Sequence, residues 1–306
     1  MGLCKRNSRE NRNLVRIEMP NSDLRLPFIR VLLLVLLAAP HALYASAGAP
    51  PLLLSLDVER SGDVEALLKI DLKDPATYFV TGEFANNYPI VVRDLAKKGT
   101  VGSHSYSHPR LTEMDAEAIY QDLLNSVKAI QSATGQPPTW FRAPFLEIND
   151  EVMSIAADLG FRYDSSEADR WVSQSVLTEF PISMNATSRI LISDYDIFYS
   201  YALDDQMTLE LLKQNYLDRF GTGRPFVFLL HPSIIGEKAE LLHVFIDFVK
   251  RQGGQLMSFE GYLEHRKGSE TSNIGVYIDP SAIEADVDEF TEDLLTLGVT
   301  DVFIRT

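Results

Sequence analysis

Residues 52–59 read L-L-L-S-L-D-V-E, and their first five positions decide the fold. An apolar run broken by a single serine suits a strand covered on both faces, and strands covered on both faces belong to parallel sheets flanked by helices. Outward from it, strand-like and helix-like segments alternate. Strand patterns occur at 76–82, 100–103, 139–144, 161–164, 179–184, 225–232 and 256–259. Helix patterns lie between them at about 86–98, 112–134, 149–159, 207–219 and 237–251. Gly99 stops the first of these, and Thr112 is the expected N-cap of the second. Strands separated by helices of this length are βα units around parallel strands. The predicted fold class is α/β, a barrel of about seven parallel strands.

Parallel strands collect functional residues at their C-terminal ends. Asp57, His104, Arg142, Asp164 and His231 all fall at or just past such ends. Asp57 and Glu59 are two apart and project to one side. Carboxylates held that close titrate as a pair unless a positive charge sits between them, and a divalent cation would supply it. G-S-H-S-Y-S-H-P (102–109) sets His104 and His108 four apart, but Pro109 and the serines favour a turn over a helix. Two neutral imidazoles and one carboxylate would leave a metal with open positions, as catalytic zinc requires. The same histidines read equally well as polar residues on a wet loop. Arg142, in W-F-R-A-P-F, needs a carboxylate partner if buried, and Asp57 is the candidate. His231, after V-F-L-L, is either functional or a satisfied core histidine.

The flanks carry different signals. V-L-L-L-V-L-L-A-A (31–39) follows Arg25 and Arg30 and precedes Ala45-Ser46-Ala47. That pattern is a secretory signal over residues 1–47, and the run is too short for a spanning helix of about 20 residues. The protein is therefore expected in the periplasm or secreted, without stable membrane insertion after cleavage. The one cysteine, Cys4, lies in the signal, so the mature fold would rely on an ordinary core. The chain has 306 residues, with 28 Lys/Arg against 43 Asp/Glu. Residues 1–47 hold seven and three of these, which leaves 21 against 40, a net charge of −19. Such a surface repels nucleic acid, which excludes it as a partner.

Residues 48–265 form the predicted main domain, and R-K-G-S-E-T-S-N (266–273) reads as a linker. Residues 274–306 repeat a strand–helix–strand pattern, a partial C-terminal βαβ unit. Such a unit cannot cover its own faces, so it either packs on the main domain or opens a second barrel.

Taken together, L-S-L-D-V-E, T-Y-F-V-T-G-E, V-G-S-H-S-Y-S-H-P-R-L, F-R-A-P-F and F-V-F-L-L-H-P, in this order over about residues 52–262, resemble the polysaccharide deacetylase (NodB-like, carbohydrate esterase 4) family. The resemblance implies a deformed (β/α) barrel and metal-dependent removal of N-acetyl groups from sugar polymers. It implies His104 and His108 as ligands of one divalent metal ion, zinc above others. Asp57 then matches the catalytic base, Arg142 the residue orienting that base, and His231 the catalytic acid. Phe145 matches the aromatic residue whose backbone N–H meets the oxyanion, and Asp164 an aspartate that tunes the acid. Trp171 is a candidate to line the sugar groove. The family's common motif has two adjacent aspartates, whereas Val58 follows Asp57 here. Glu59 is thus the expected third metal ligand. A non-catalytic carbohydrate-binding relative, a metal-independent hydrolase of small cyclic amides, and the deacetylase half of a bifunctional glycosidase are the competing readings. I-G-V-Y-I-D-P-S (274–281) resembles the start of a glycosidase-like barrel.

Overall fold

A computed structural model describes residues 48–168, 176–269, 274–278 and 299–304. The predicted signal, Cys4 and Trp171 lie outside the described residues. The main unit runs β1 (Leu52–Val58), α1 (Gly62–Ile70), β2 (Thr77–Val80), α2 (Gly82–Asn87), α3 (Pro89–Lys98), β3 (Thr100–Ser103), α4 (Ala116–Thr134), β4 (Trp140–Phe141) and α5 (Asp150–Asp158). It continues with β5 (Tyr163–Asp164), β6 (Thr178–Glu179), α6 (Asp205–Leu217), β7 (Phe226–Leu230), α7 (Pro232–Ile235), α8 (Ala239–Arg251), β8 (Leu256–Met257) and α9 (Phe259–Ser269).

Seven strands in the order β6-β5-β4-β3-β2-β1-β7, every neighbouring pair parallel, curl into a deformed barrel. A short eighth strand, β8, pairs with the start of β1, below the point where β2 takes over. No ladder joins β6 to β7. An irregular segment fills that gap: Ser183 N–H donates to Val227 O at 3.1 Å and Leu229 N–H to Ile192 O at 3.0 Å.

All seven residues of β1 are buried, as its composition requires. Leu52, Leu54, Leu56 and Val58 join the cluster under the helices, while Leu53 joins Phe79, Trp140, Phe180 and Phe259 in another. The period of two therefore sets Leu53, Ser55 and Asp57 on one face. Gly102 in β3 is needed for this packing, because a Cβ there would lie 2.7 Å from the Phe79 ring.

The sequence pattern needs correction in four places. Helix α1 is present although no clear periodic stripe announces it. The single helix expected over 86–98 is two helices, parted before Pro89, whose ring is tolerated only in a first turn. The N-cap of α4 is Asp115, which accepts from Ala118 N–H at 2.8 Å, rather than Thr112, which lies in a preceding 3₁₀ turn. Helix α9 runs to Ser269, so residues 266–269 of the expected linker are helical. Beyond it, β9 (Ile274–Ile278) and β10 (Val299–Ile304) form a separate parallel pair. The helix expected between those two strands lies outside the described residues.

Candidate metal centre and active site

The loops after β1 and β3 bring three donor groups together. Glu59 Oε1 lies 3.2 Å from His108 Nε2 and 3.6 Å from His104 Nε2. Those spacings bracket the donor–donor separation of about 3.3 Å that tetrahedral ligation with bonds of about 2 Å demands. His104 Nδ1 sits 2.9 Å from the Arg142 carbonyl oxygen, which can only accept. Nδ1 therefore carries a proton, and Nε2 faces the cluster, where it would offer its lone pair to a cation that displaces any proton there. Burial alone would raise the Glu59 carboxyl, but hydrogen bonds and charge from His104 and His108 outweigh it and hold the group well below the usual carboxylate range. Two imidazoles and an ionised carboxylate converging on one point fit a divalent cation.

The loop bearing the histidines is built for that convergence. Ser105 and His108 both have positive φ, 62° and 59°, a strained setting for non-glycine residues that surrounding bonds must hold. Asp122 of α4 supplies them. Its carboxylate accepts from Tyr106 N–H at 2.7 Å, Ser107 N–H at 3.2 Å and Ser107 Oγ–H at 2.8 Å. Asp63 does the same after β1, accepting from the Glu59 and Arg60 N–H groups at 2.8 and 2.9 Å.

Arg142 is fully buried behind Asp57. Its guanidinium donates to Asp57 Oδ1 at 2.8 Å, to Ser55 Oγ at 3.0 Å, and to Ser165 O and Oγ at 2.7 Å each. It also lies 4.2 Å from the centre of the Phe79 ring. One Asp57 oxygen is thus fixed from behind. The other, Oδ2, faces the cluster, 3.6 Å from His104 Nε2.

His231, just past β7, is held by a residue that the sequence pattern does not single out. Asp194 Oδ1 lies 2.7 Å from His231 Nδ1, and Asp194 Oδ2 accepts the His231 backbone N–H at 2.7 Å. Burial works against the imidazolium, but Asp194, with the charges of Asp57 and Glu59, overcomes it and pushes the pKa up to about 9. Asp164, expected to tune the acid, does not touch His231. It accepts from Ser166 Oγ–H at 2.7 Å, and Ser166 Oγ accepts in turn from Ala143 N–H at 2.8 Å. Asp164 pairs with the buried Glu179, so this acid pair braces the backbone next to Arg142.

Asp57, Glu59, His104, His108, Phe145 and His231 all line one cavity of about 630 Å³. Phe145 has φ 61°, its ring centre lies 4.6 Å from that of His108, and the Arg110 guanidinium lies over the same ring, 4.5 Å from its centre. Its backbone N–H donates to no carbonyl among the described residues. No helix among the described residues is long and apolar enough to cross a membrane.

Comparison with known proteins is consistent across sequence and fold. Residues 53–163 match the family model described as polysaccharide deacetylase. The peptidoglycan-N-acetylglucosamine deacetylase PgdA of Listeria monocytogenes is 27% identical over 191 residues, covering 61% of this chain and 38% of the relative. A bifunctional xylanase/xylan deacetylase of Cellvibrio japonicus is 34% identical over 104 residues, 34% of this chain and 16% of the relative. The chain therefore spans well under half the length of these relatives. In fold, it superposes on a Mycobacterium smegmatis protein assigned as a polysaccharide deacetylase, with a TM-score of 0.57 at 19% identity, covering 73% of this chain and 93% of that one.

Proposed function

We propose, on the premise that this chain belongs to the polysaccharide deacetylase (NodB-like, carbohydrate esterase 4) family, that it hydrolyses N-acetyl groups from an N-acetylated polysaccharide outside the cytoplasm. The observation that carries this reading is one cavity holding a Glu59–His104–His108 donor set, the oriented carboxylate of Asp57 and a His231 imidazole held by Asp194.

Glu59, His104 and His108 would hold one divalent cation, zinc fitting this N/O donor set best. A cation there polarises an acetamide carbonyl and acidifies water beside it. Asp57 Oδ2, with Oδ1 tied to Arg142, is placed to take the proton of the attacking water. The unpaired N–H of Phe145 is available to the negative charge that develops on the carbonyl oxygen. His231 carries the proton that the leaving amine needs as the C–N bond breaks. Water thus adds its oxygen to the carbonyl carbon, acetate leaves, and the sugar keeps a free amine. Asp57 returns its proton to solvent and His231 regains one, which closes the cycle. Trp171 remains a candidate groove residue.

The reading is tested by acetate release from a panel of acetylated glycans, including peptidoglycan and poly-N-acetylglucosamine, with and without a chelator. Release that stops under chelation and returns with zinc is expected. Undiminished release under chelation would rule out the metal-dependent reaction.

A further inference from the structure

One wall of the cavity has no part in the chemistry above. After Asp194 the chain makes a wide π-type turn over Asp196–Ser200. Ile197 is fully buried and Phe198 packs against the main core. Ile197 N–H donates to Ser193 O at 3.0 Å, and Leu203 N–H to Ile197 O at 3.0 Å. With those two side chains anchored, Tyr195, Asp196 and Tyr199 line the cavity. The two tyrosines are 54% and 65% exposed, with ring centres 5.5 Å apart. The Tyr195 ring centre is 6.3 Å from that of His231. The Asp196 side chain has no hydrogen bond or ion pair among the described residues.

Exposed aromatic faces gathered in a cavity mark a binding wall. Tyrosines alone would suit any sugar ring. The bare carboxylate narrows the choice. Covering Asp196 with a neutral ligand that leaves it unpaired would cost its desolvation. An anion would be repelled. A cation gains from both groups at once, by charge with Asp196 and by the faces of Tyr195 and Tyr199. The proposed reaction makes such a cation, because each acetamide removed leaves an amine that is protonated in mildly acidic water. Residues 48–306 carry 40 acidic against 21 basic residues, which favours a polymer of growing positive charge.

We propose that Tyr195, Asp196 and Tyr199 form a subsite for a protonated amino sugar, so that the protein binds partly deacetylated polysaccharide better than the fully acetylated polymer. The proposal takes the source of the amine from the deacetylase reading, but the binding it describes needs no turnover. It can therefore be measured on the full chain carrying Asp57→Asn. Calorimetry would compare a fully acetylated β-1,4-linked N-acetylglucosamine hexamer with the same hexamer bearing free amines on half its residues.

The aminated hexamer is expected to bind roughly 5- to 10-fold tighter in mildly acidic buffer, with the margin shrinking as salt is raised. Asp196→Asn should bring the two affinities together, and Asp196→Glu should keep them apart, which separates loss of charge from misfolding. Equal affinities in the parent chain, no binding of the aminated hexamer, or a preference that survives Asp196→Asn would overturn the proposal. Failure of the deacetylase reading would look different: no acetate from any glycan with the wild-type protein, whatever the hexamers show.

Discussion

Asp194 grips His231 twice, its Oδ1 lying 2.7 Å from Nδ1 and its Oδ2 2.7 Å from the backbone nitrogen. One carboxylate thereby fixes both the position of the imidazole and its charge. The His231 pKa stands at about 9 against an ordinary 6.5, so its stabilising contribution is full below pH 6.5 and is lost as pH rises through 9. Activity that needs the imidazolium should fall over the same alkaline range. Asp194→Asn removes the main group opposing desolvation and should move the alkaline limb to lower pH, with kcat down about 10²–10³-fold. NMR titration of His231 alongside the pH–rate profile checks both. An unmoved imidazole pKa would contradict the assignment.

Metal affinity should depend on Asp122 although it touches no donor atom. Asp122→Ala frees three hydrogen-bond donors of the 104–108 loop, whose backbone is held at positive φ. The expected loss is 10- to 100-fold in affinity, roughly the effect of removing a supporting partner of a metal ligand. Zinc titrations read it directly, with His104→Ala as the reference for near-complete loss. The thermal shift on adding zinc should shrink in parallel.

The Arg142–Asp57 pair is buried on both sides. Arg142→Ala would leave Asp57 without its partner, so it should cost about 3–5 kcal/mol in urea unfolding as well as activity. Arg142→Lys should recover part of the stability and little of the rate. A single ammonium cannot reach Asp57, Ser55 and Ser165 together.

Glu179 and Asp164 form a buried acid pair. Burial first, then the charge of Asp164, raise the Glu179 carboxyl well above its usual value. The folded state therefore holds a proton that the unfolded chain releases above about pH 4.5, and stability declines as pH climbs toward the folded pKa. Glu179→Gln keeps a hydrogen-bonding amide without that proton. Its melting temperature should fall less steeply than that of the wild type between mildly acidic and alkaline pH. Parallel curves would show that the pair does not share a proton.

The parts of this arrangement written in regular structure were legible in the sequence. L-L-L-S-L-D and F-V-F-L-L-H are runs that only doubly covered strands explain, and they deliver Asp57 and His231 to the same end of the barrel. H-S-Y-S-H-P announced its histidines by spacing. Asp194 was not legible, because it lies in the irregular segment that spans β6 to β7, with neither period to mark it. Asp164 drew attention instead because it ends a strand, yet its neighbours are Ser166 and Glu179. The strands β4 to β6 are two residues each, shorter than their apolar patterns, because only one or two residues of each pair in register with a neighbour. Pro89 likewise divided a pattern that looked continuous.

The central claim is that Asp57 is a base beside, rather than within, the metal set of Glu59, His104 and His108. Measuring bound zinc and acetate release together on the Asp57→Asn protein tests it most directly. The account predicts one zinc per chain, as in the wild type, with acetate release reduced about 10²–10⁴-fold. Wild-type acetate release from that variant, or loss of its zinc, would contradict it.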